Sequence, residues 1–508
     1  MASTNTAPRR IAVVLDGPGT PRWQQRALEL LSSRDGVEIV EVRLAGAPRR
    51  SRLRTIHGTI ERRLFTPGPD ALEPVPVEPK ASDAGDPDLV VWLAEQTSPE
   101  RDVGELLYLR HDKRQEPAEG AFRRAALRGS PVVETEVLLR RAPGTVVVER
   151  TVSGARPFST TLSRDKALWK IAGLVARAVL GAPGLDEPAS RDTPPGRAPS
   201  TLELLVRSPW RWIRVVAARA LFVRPWQIVV RRQGETPVAG WRNGSSLLGA
   251  RRSHLYADPV LFEHEGRHHL FCEEIPAGAT RAVISHAELP VDGGRGDAPT
   301  PVLEADYHLS YPFVFAHHGE VFMIPETSAQ RRVELYRATE FPHSWSKEAV
   351  LLDDLVACDA TLLAQDGRLW LFVGVAETHA TMLDELHLFT ATAVRGPWQP
   401  HPLNPVVSDV RCARPAGAIQ RWGERLVRPG QDGSRRYGGS VSFRQIDELS
   451  LDGYAEHEIG RLDPVDLGDA RATHTYASDG TFEAVDLRRR RLAPMQRLGS
   501  LSRRLKRP

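Results

Sequence analysis

The sequence predicts two domains of different class: an α/β domain over residues 1–181, then an all-β five-bladed β-propeller with a lead-in helix over 201–487. Three observations carry this. A hairpin signature recurs five times in the second half, its turn glycines standing at 266, 319, 367, 423 and 480. The period of about fifty residues is that of propeller blades, small antiparallel sheets that bury their faces only against one another. The N-terminal stretch instead alternates short apolar runs with helical periodicity, the pattern of a parallel sheet with crossover helices. Between the two, residues 182–200 are rich in proline and read as a linker.

Composition bounds the classes. At 508 residues the chain exceeds one ordinary core. With 41% hydrophobic residues and 26% charged ones it reads as globular, and a net charge of +4 demands no nucleic-acid partner. The three cysteines, Cys272, Cys358 and Cys412, are too scattered for a disulfide framework or a zinc site and read as buried thiols in a reducing compartment. No apolar run reaches membrane-spanning length and residues 1–10 lack the apolar core of a secretory signal, so the expected location is cytoplasmic.

In chain order, 11–15 is a β-run closed by Asp16-Gly17-Pro18-Gly19, 23–31 a helix and 37–42 a strand. The glycines of that first loop do not form G-x-G-x-x-G, so no dinucleotide cofactor is expected. Residues 45–80, rich in Arg and Pro, read as an irregular excursion. Residues 88–93 and 106–109 read as strands, 132–138 and 145–148 as a β-pair, and 165–180 as an amphipathic closing helix. From 202 to 232, Trp210, Trp212, Ile213, Val216 and Phe222 interleave with Arg207, Arg211, Arg214, Arg219 and Arg224. That density suits an interfacial helix on an anionic membrane, or an aromatic face packed between domains with its arginines in water. Residues 226–230 read as an outer propeller strand, and 488–508 as a solvated basic tail.

The hairpin register carries the chemistry. Counting back eight residues from the first three turn glycines gives Asp258, Tyr311 and Asp359. Hairpin geometry sets the start of one strand beside the end of the next, so Asp258 is expected near Glu274 and Tyr311 near Glu326. If the first strand of each blade lines the axis, these groups converge on one mouth of the channel. Carboxylates gathered there suit sugar chemistry, in which one acid protonates a leaving oxygen while another activates a nucleophile or stabilises charge. Asp258, Glu326 and Asp359 are the candidate catalytic residues. Arg414 and Arg428 would clamp an anionic group or neutralise the two aspartates across the channel. His474 reads as a proton carrier or a satisfied polar group, and no spacing matches a metal-ligand motif.

Several of these stretches resemble known families. Asp88-Leu89-Val90-Val91, Tyr108-Leu109-Arg110-His111-Asp112, the β-pair and the closing helix are similar to a degenerate formyltransferase-type domain. His111 matches the catalytic His, but Leu109 stands where an Asn belongs and 141–144 lacks the expected Asp. The resemblance therefore implies a non-catalytic relic. Ala257-Asp258-Pro259 resembles the first-blade pattern of family 43 glycoside hydrolases, with Ser310-Tyr311-Pro312 departing from the second. Tyr256-Ala257-Asp258-Pro259, Ser310-Tyr311-Pro312, Pro325-Glu326-Thr327, Gly396-Pro397-Trp398, Arg414-Pro415-Ala416-Gly417, Arg428-Pro429-Gly430-Gln431-Asp432 and Tyr437-Gly438 resemble the N-terminal propeller region of glucosamine inositolphosphorylceramide transferases. This resemblance implies handling of a sugar, nucleotide-sugar or glycolipid in envelope glycan or glycolipid synthesis, with Tyr311, Gln431 and Asp432 added to the substrate-binding set. The alternative is a non-catalytic glycan-binding or scaffolding module that partners a glycosyltransferase.

Overall fold

A computed structural model of the chain describes residues 8–492 apart from 18, 47–51, 66–68, 82–85, 96–103, 181–186, 194–200, 224, 239, 242–245, 248–250, 252, 292–295, 377–379 and 490. The chain forms two compact units, and the division falls inside the helix that leads from one to the other, after Arg211.

The first unit is built on a seven-stranded mixed sheet. Arg9–Asp16 lies parallel to Val37–Ala45 on one side and to Leu89–Trp92 on the other, and Glu105–His111 continues the parallel set. Val132–Arg141 and Gly144–Gly154 then add an antiparallel pair, as the sequence pattern implied. Helices α1 (Arg22–Ser32), α2 (Arg52–Phe65), α3 (Ala118–Arg128) and α4 (Thr160–Val179) accompany the sheet. Trp23, Ala27 and Leu31 of α1 and Leu168, Ile171 and Val175 of α4 join Ile11, Val13 and Leu15 in one core. Ser159 caps α4 by accepting from the Leu162 amide at 3.1 Å.

Two expectations need correction here. Helix α2 lies inside the stretch read as irregular. Among its described side chains the buried ones are His57, Glu61 and Phe65, two of them polar, so the core-facing side is not announced by an apolar stripe there. Glu61 instead receives the Thr161 amide at 2.8 Å and the Thr160 amide at 3.2 Å, placing a carboxylate on the positive N-terminus of α4. Part of the proline-rich stretch is likewise anchored. Glu187–Pro188 pairs with Val146 and Val147, and buried Arg110, bound to Glu136, reaches the Ser190 carbonyl at 2.7 Å and Asp192 at 2.9 Å. Residues 182–186 and 194–200 of that stretch, and residues 490 and 493–508 of the basic tail, lie outside the described residues.

Helix α5 (Thr201–Leu221) leads into the second unit, a five-bladed β-propeller. Blades one to four each hold four main antiparallel strands, with inner hairpins Leu255–His264/Arg267–Ile275, Ser310–His317/Glu320–Thr327, Val356–Gln365/Arg368–Ala376 and Gln420–Trp422/Arg425–Asp432. The fifth blade is assembled from both ends of the propeller sequence: Phe482–Arg489 pairs with Tyr476–Ser478 and with Trp226–Arg232. The ring is thereby closed by main-chain hydrogen bonds. Each expected turn glycine has positive φ, and in the first three blades so does the residue before it (Glu265, His318, Asp366). The turns of these three blades are two-residue turns whose twist matches that of the strands, closing His264 on Arg267, His317 on Glu320 and Gln365 on Arg368.

The three count-back residues share one backbone device. The ladder slips at 258–259, at 311–312 and at 359–360, and Asp258, Tyr311 and Asp359 have φ of 49°, 42° and 51°. Each inner strand thus carries a bulge that re-aims a side chain at an equivalent position. Asp tolerates this left-handed conformation, whereas in Tyr311 it is strained.

Candidate functional site at the propeller centre

All five blades contribute to one buried polar cluster. Asp359 of blade three accepts Arg414 Nε at 2.5 Å and Nη2 at 3.1 Å, and Gln431 Nε2 at 2.9 Å. The same Nη2 reaches Glu326 of blade two at 3.3 Å, whose other oxygen accepts from Ser328 at 2.6 Å. Asp258 of blade one accepts the Thr475 hydroxyl at 2.9 Å and the Tyr311 amide at 3.3 Å. His474 of blade five sits between two carboxylates, Nε2 3.0 Å from Asp258 and Nδ1 2.8 Å from Asp486. Asp486 also receives the backbone amides of Asp258, His474 and Thr475. Tyr437 lies between Arg414 and His474, its ring 5.4 Å from the guanidinium and 4.9 Å from the imidazole, and the Trp226 ring stands 4.3 Å from the same imidazole.

Electrostatics sorts the groups. Burial pushes the His474 imidazole down, but Asp486 and Asp258 outweigh it and hold the ring protonated up to about 10. Burial pushes the Asp258 carboxyl up, and His474, Arg414 and the Thr475 hydroxyl bring it below its usual range. Burial, with Glu326 and Asp258 nearby, presses Asp359 upward, and the Arg414 fork opposes them. The donors that meet Asp359 are N–H groups of Arg414 and Gln431, the environment of a carboxylate, so Asp359 stands as the anionic partner of Arg414.

Among the described residues, two groups have the donor types and spacing of a cation site: Asp258, His474 and Asp486, and Glu326, Cys358 and Asp359. Neither fits a metal. The first already encloses a charged imidazolium with a carboxylate at each nitrogen, and the Arg414 guanidinium occupies the second.

The sequence-derived set divides on this geometry. Asp258, Glu326, Asp359, Arg414, Gln431 and His474 come together. Arg428 does not: it is buried in a two-point pair with Glu456, at 2.8 and 2.6 Å, and also donates to the Cys412 carbonyl. Asp432 pairs with Arg461. Both stand an odd number of residues from Gln431 along one strand, and side chains alternate faces. Tyr311 contributes its amide, while its fully buried phenol bonds Thr361 at 2.8 Å inside the packing of blades two and three. Arg414 is committed to Asp359 and Glu326 rather than to an external anion.

Sequence reasoning missed Tyr437, Thr475 and two further acids, Asp486 and Glu273. Glu273, paired with Ala257 in the ladder, lies 3.2 Å from His308, whose side chain is 43% exposed. Burial, aided by Asp258, raises the Glu273 carboxyl, and the bond to Glu273 raises His308. The simple hairpin register pointed to Glu274 instead, and the bulge at 258–259 that shifts the pairing is not visible in sequence spacing. In the first unit, His111 is enclosed, 2.8 Å from the Thr135 hydroxyl, and burial, then Arg124, lowers it to about 4. It is neutral at ordinary pH. Cys272, Cys358 and Cys412 are buried free thiols, as expected.

Residues 243–472 match the family described as glucosamine inositolphosphorylceramide transferase 1, N-terminal. Glucosamine inositolphosphorylceramide transferase 1 of rice (Oryza sativa subsp. japonica) is 31% identical over 258 residues, 49% of this chain and 34% of the enzyme. That of Arabidopsis thaliana is 32% identical over 212 residues, 41% of this chain and 27% of the enzyme. The chain thus spans about a third of the length of the curated relatives it matches. Among solved structures, a family 117 glycoside hydrolase from Zobellia galactanivorans aligns over 52% of this chain and 90% of its own, at 12% identity and a TM-score of 0.36. A GH43_1 enzyme from Xanthomonas citri aligns over 42% and 78%, at 13% identity and a TM-score of 0.32.

Proposed function

We propose that the propeller is a carbohydrate-active module acting on a sugar or glycolipid, in glycosyl transfer or glycoside processing for envelope glycan or glycolipid synthesis. The observation that carries this reading is the convergence of Asp258, Glu273, Glu326 and Asp359 from the first three blades, with Arg414 and His474 from the last two. The match of residues 243–472 to a region of glycolipid-forming transferases points the same way.

The charge states assign roles. Asp258, held ionised by His474, is suited to accept a hydroxyl proton or to stabilise developing positive charge. Glu273, raised by burial and reached through partly exposed His308, is suited to donate a proton to a leaving oxygen. Asp359, Glu326, Arg414 and Gln431 fix the geometry between the blades, and Tyr437 offers an aromatic face. The first unit acts as a structural partner, its neutral His111 sealed against Thr135.

A second reading, a glycan-binding module that recruits a glycosyltransferase, is favoured by one feature: Asp258, Glu326 and Asp359 each already accept hydrogen bonds within the protein. The test is mass spectrometry of products after incubation with pooled nucleotide sugars and glycosides, beside Glu273→Gln. A product from the unmodified protein that the variant makes at least about a hundredfold more slowly supports the enzyme. No product from either, with sugar-induced thermal stabilisation in both, supports the binding module.

A further inference from the structure

Helix α5 carries an outward apolar stripe that the propeller chemistry does not use. Val206, Trp210 and Ile213, spaced i, i+4, i+7, are 71%, 65% and 58% exposed, while Leu204 and Ser208 on the other side are buried. A tryptophan so open to water is far from the usual placement of this residue type. Arginines flank the stripe at the same spacing: Arg207 and Arg214 are exposed and Arg211 stands between them. Among the described residues, neither Arg207 nor Arg214 has a carboxylate partner. Arg211 donates to the Pro157 carbonyl at 3.1 Å, and burial, then the neighbouring Arg207 charge, lowers it.

A second helix repeats the arrangement. On α2, Ile56, Ile60 and Leu64, spaced i, i+4, i+8, are 54%, 37% and 46% exposed, and exposed Arg63 lies beside them. The two helices are joined by a buried contact, His57 Nε2 to Ser208 Oγ at 3.1 Å. Among the described residues, no helix is long and apolar enough to cross a membrane. An amphipathic helix with Trp and Ile on one face and arginines at its margins has the composition of one that lies in a lipid interface.

We propose that α5, with α2 beside it, is a docking surface for an anionic lipid bilayer: Trp210, Val206 and Ile213 enter the headgroup boundary while Arg207, Arg211 and Arg214 meet lipid phosphates. The charge selects this occupant over an ordinary protein partner, because the exposed cations on α5 outnumber its exposed carboxylate, Glu203. Each arginine near such a surface contributes roughly 1 kcal/mol, and the effect decays within a Debye length.

The experiment is vesicle co-sedimentation of the full chain with phosphatidylcholine alone and with phosphatidylcholine mixed with phosphatidylglycerol. Binding is expected only to the mixed vesicles and falls as salt is added. Arg207→Gln with Arg214→Gln lowers the partition constant about thirtyfold. Trp210→Ser lowers it about tenfold or more. These side chains are exposed, so unchanged thermal melting identifies folded variants. Equal binding to both vesicle types, or variants that bind like the unmodified chain, overturns the proposal. So does failure to bind either vesicle, with a concentration-dependent dimer that Trp210→Ser dissolves, which would give the stripe to a second copy.

Discussion

At the scale of single residues, the buried cluster at the propeller centre is held by two cations, Arg414 between Asp359 and Glu326 and His474 between Asp258 and Asp486. Removing Arg414 leaves Asp359 and Glu326 facing each other in a buried place without their cation. Arg414→Met is expected to cost about 3–5 kcal/mol in urea unfolding, and Asp359→Asn in the same chain to restore part of it. His474 has its folded value raised from 6.5 to about 10. Its stabilisation is therefore complete below about pH 6.5 and is lost as pH rises through 10. Asp258, lowered from 3.8, contributes above that value and loses its contribution as pH falls below it. Unfolding midpoints measured from pH 6 to 10 should decline across the alkaline range, and His474→Gln should flatten that decline. Much of this cluster was legible: the eight-residue count from the first and third turn glycines found Asp258 and Asp359, and Arg414 and His474 were picked out by residue type near the inner strands of the fourth and fifth copies. Arg428 and Asp432 were misassigned because face alternation from Gln431 was not applied. Glu273 stayed hidden because bulges break the simple register, and sequence spacing does not reveal a bulge.

At the scale of elements, the glycines separate into those that shape a turn and those that admit a neighbouring strand. Gly417, with φ of 141°, would set a Cβ 1.9 Å from the Tyr476 carbonyl oxygen, where blade four meets blade five and the Tyr476 amide bonds the Ala416 carbonyl at 2.8 Å. Gly266 also has positive φ but nothing within 4 Å of such a Cβ. Gly417→Ala is accordingly expected to cost several kcal/mol, on the order of 3 or more, because backbone must move. Gly266→Ala should cost only about 1 kcal/mol in the same thermal or urea unfolding measurement. The hairpins were the most legible elements, since turn glycine and strand alternation agree at every blade. Helix α2 was the least: its outward apolar stripe and inward His57 and Glu61 invert the usual pattern, so periodicity did not point to a core face.

At the scale of the whole molecule, the two units follow different logics of assembly. The first unit gathers its parallel strands through neighbouring segments, whereas the propeller joins residues more than two hundred apart, as in Arg231 bound to Glu483 inside the closing sheet. Truncation before Phe482 should therefore abolish the cooperative melt of the propeller rather than remove one blade from it, which differential scanning calorimetry would register as loss of a transition. The alternation of α and β in the first unit and the fifty-residue repeat in the second were both readable without coordinates. The pairing of Trp226–Arg232 with Phe482–Arg489 was not, because no local pattern links strands so far apart. That pairing sets a clock for the cell. As the chain leaves the ribosome at about 5–20 residues per second, Trp226–Arg232 emerges early and waits roughly ten to fifty seconds for the strand that completes its sheet. Throughout that interval it presents an unpaired, β-branched edge, so a nascent-chain holdase, or the timing of translation itself, becomes part of what this fold requires.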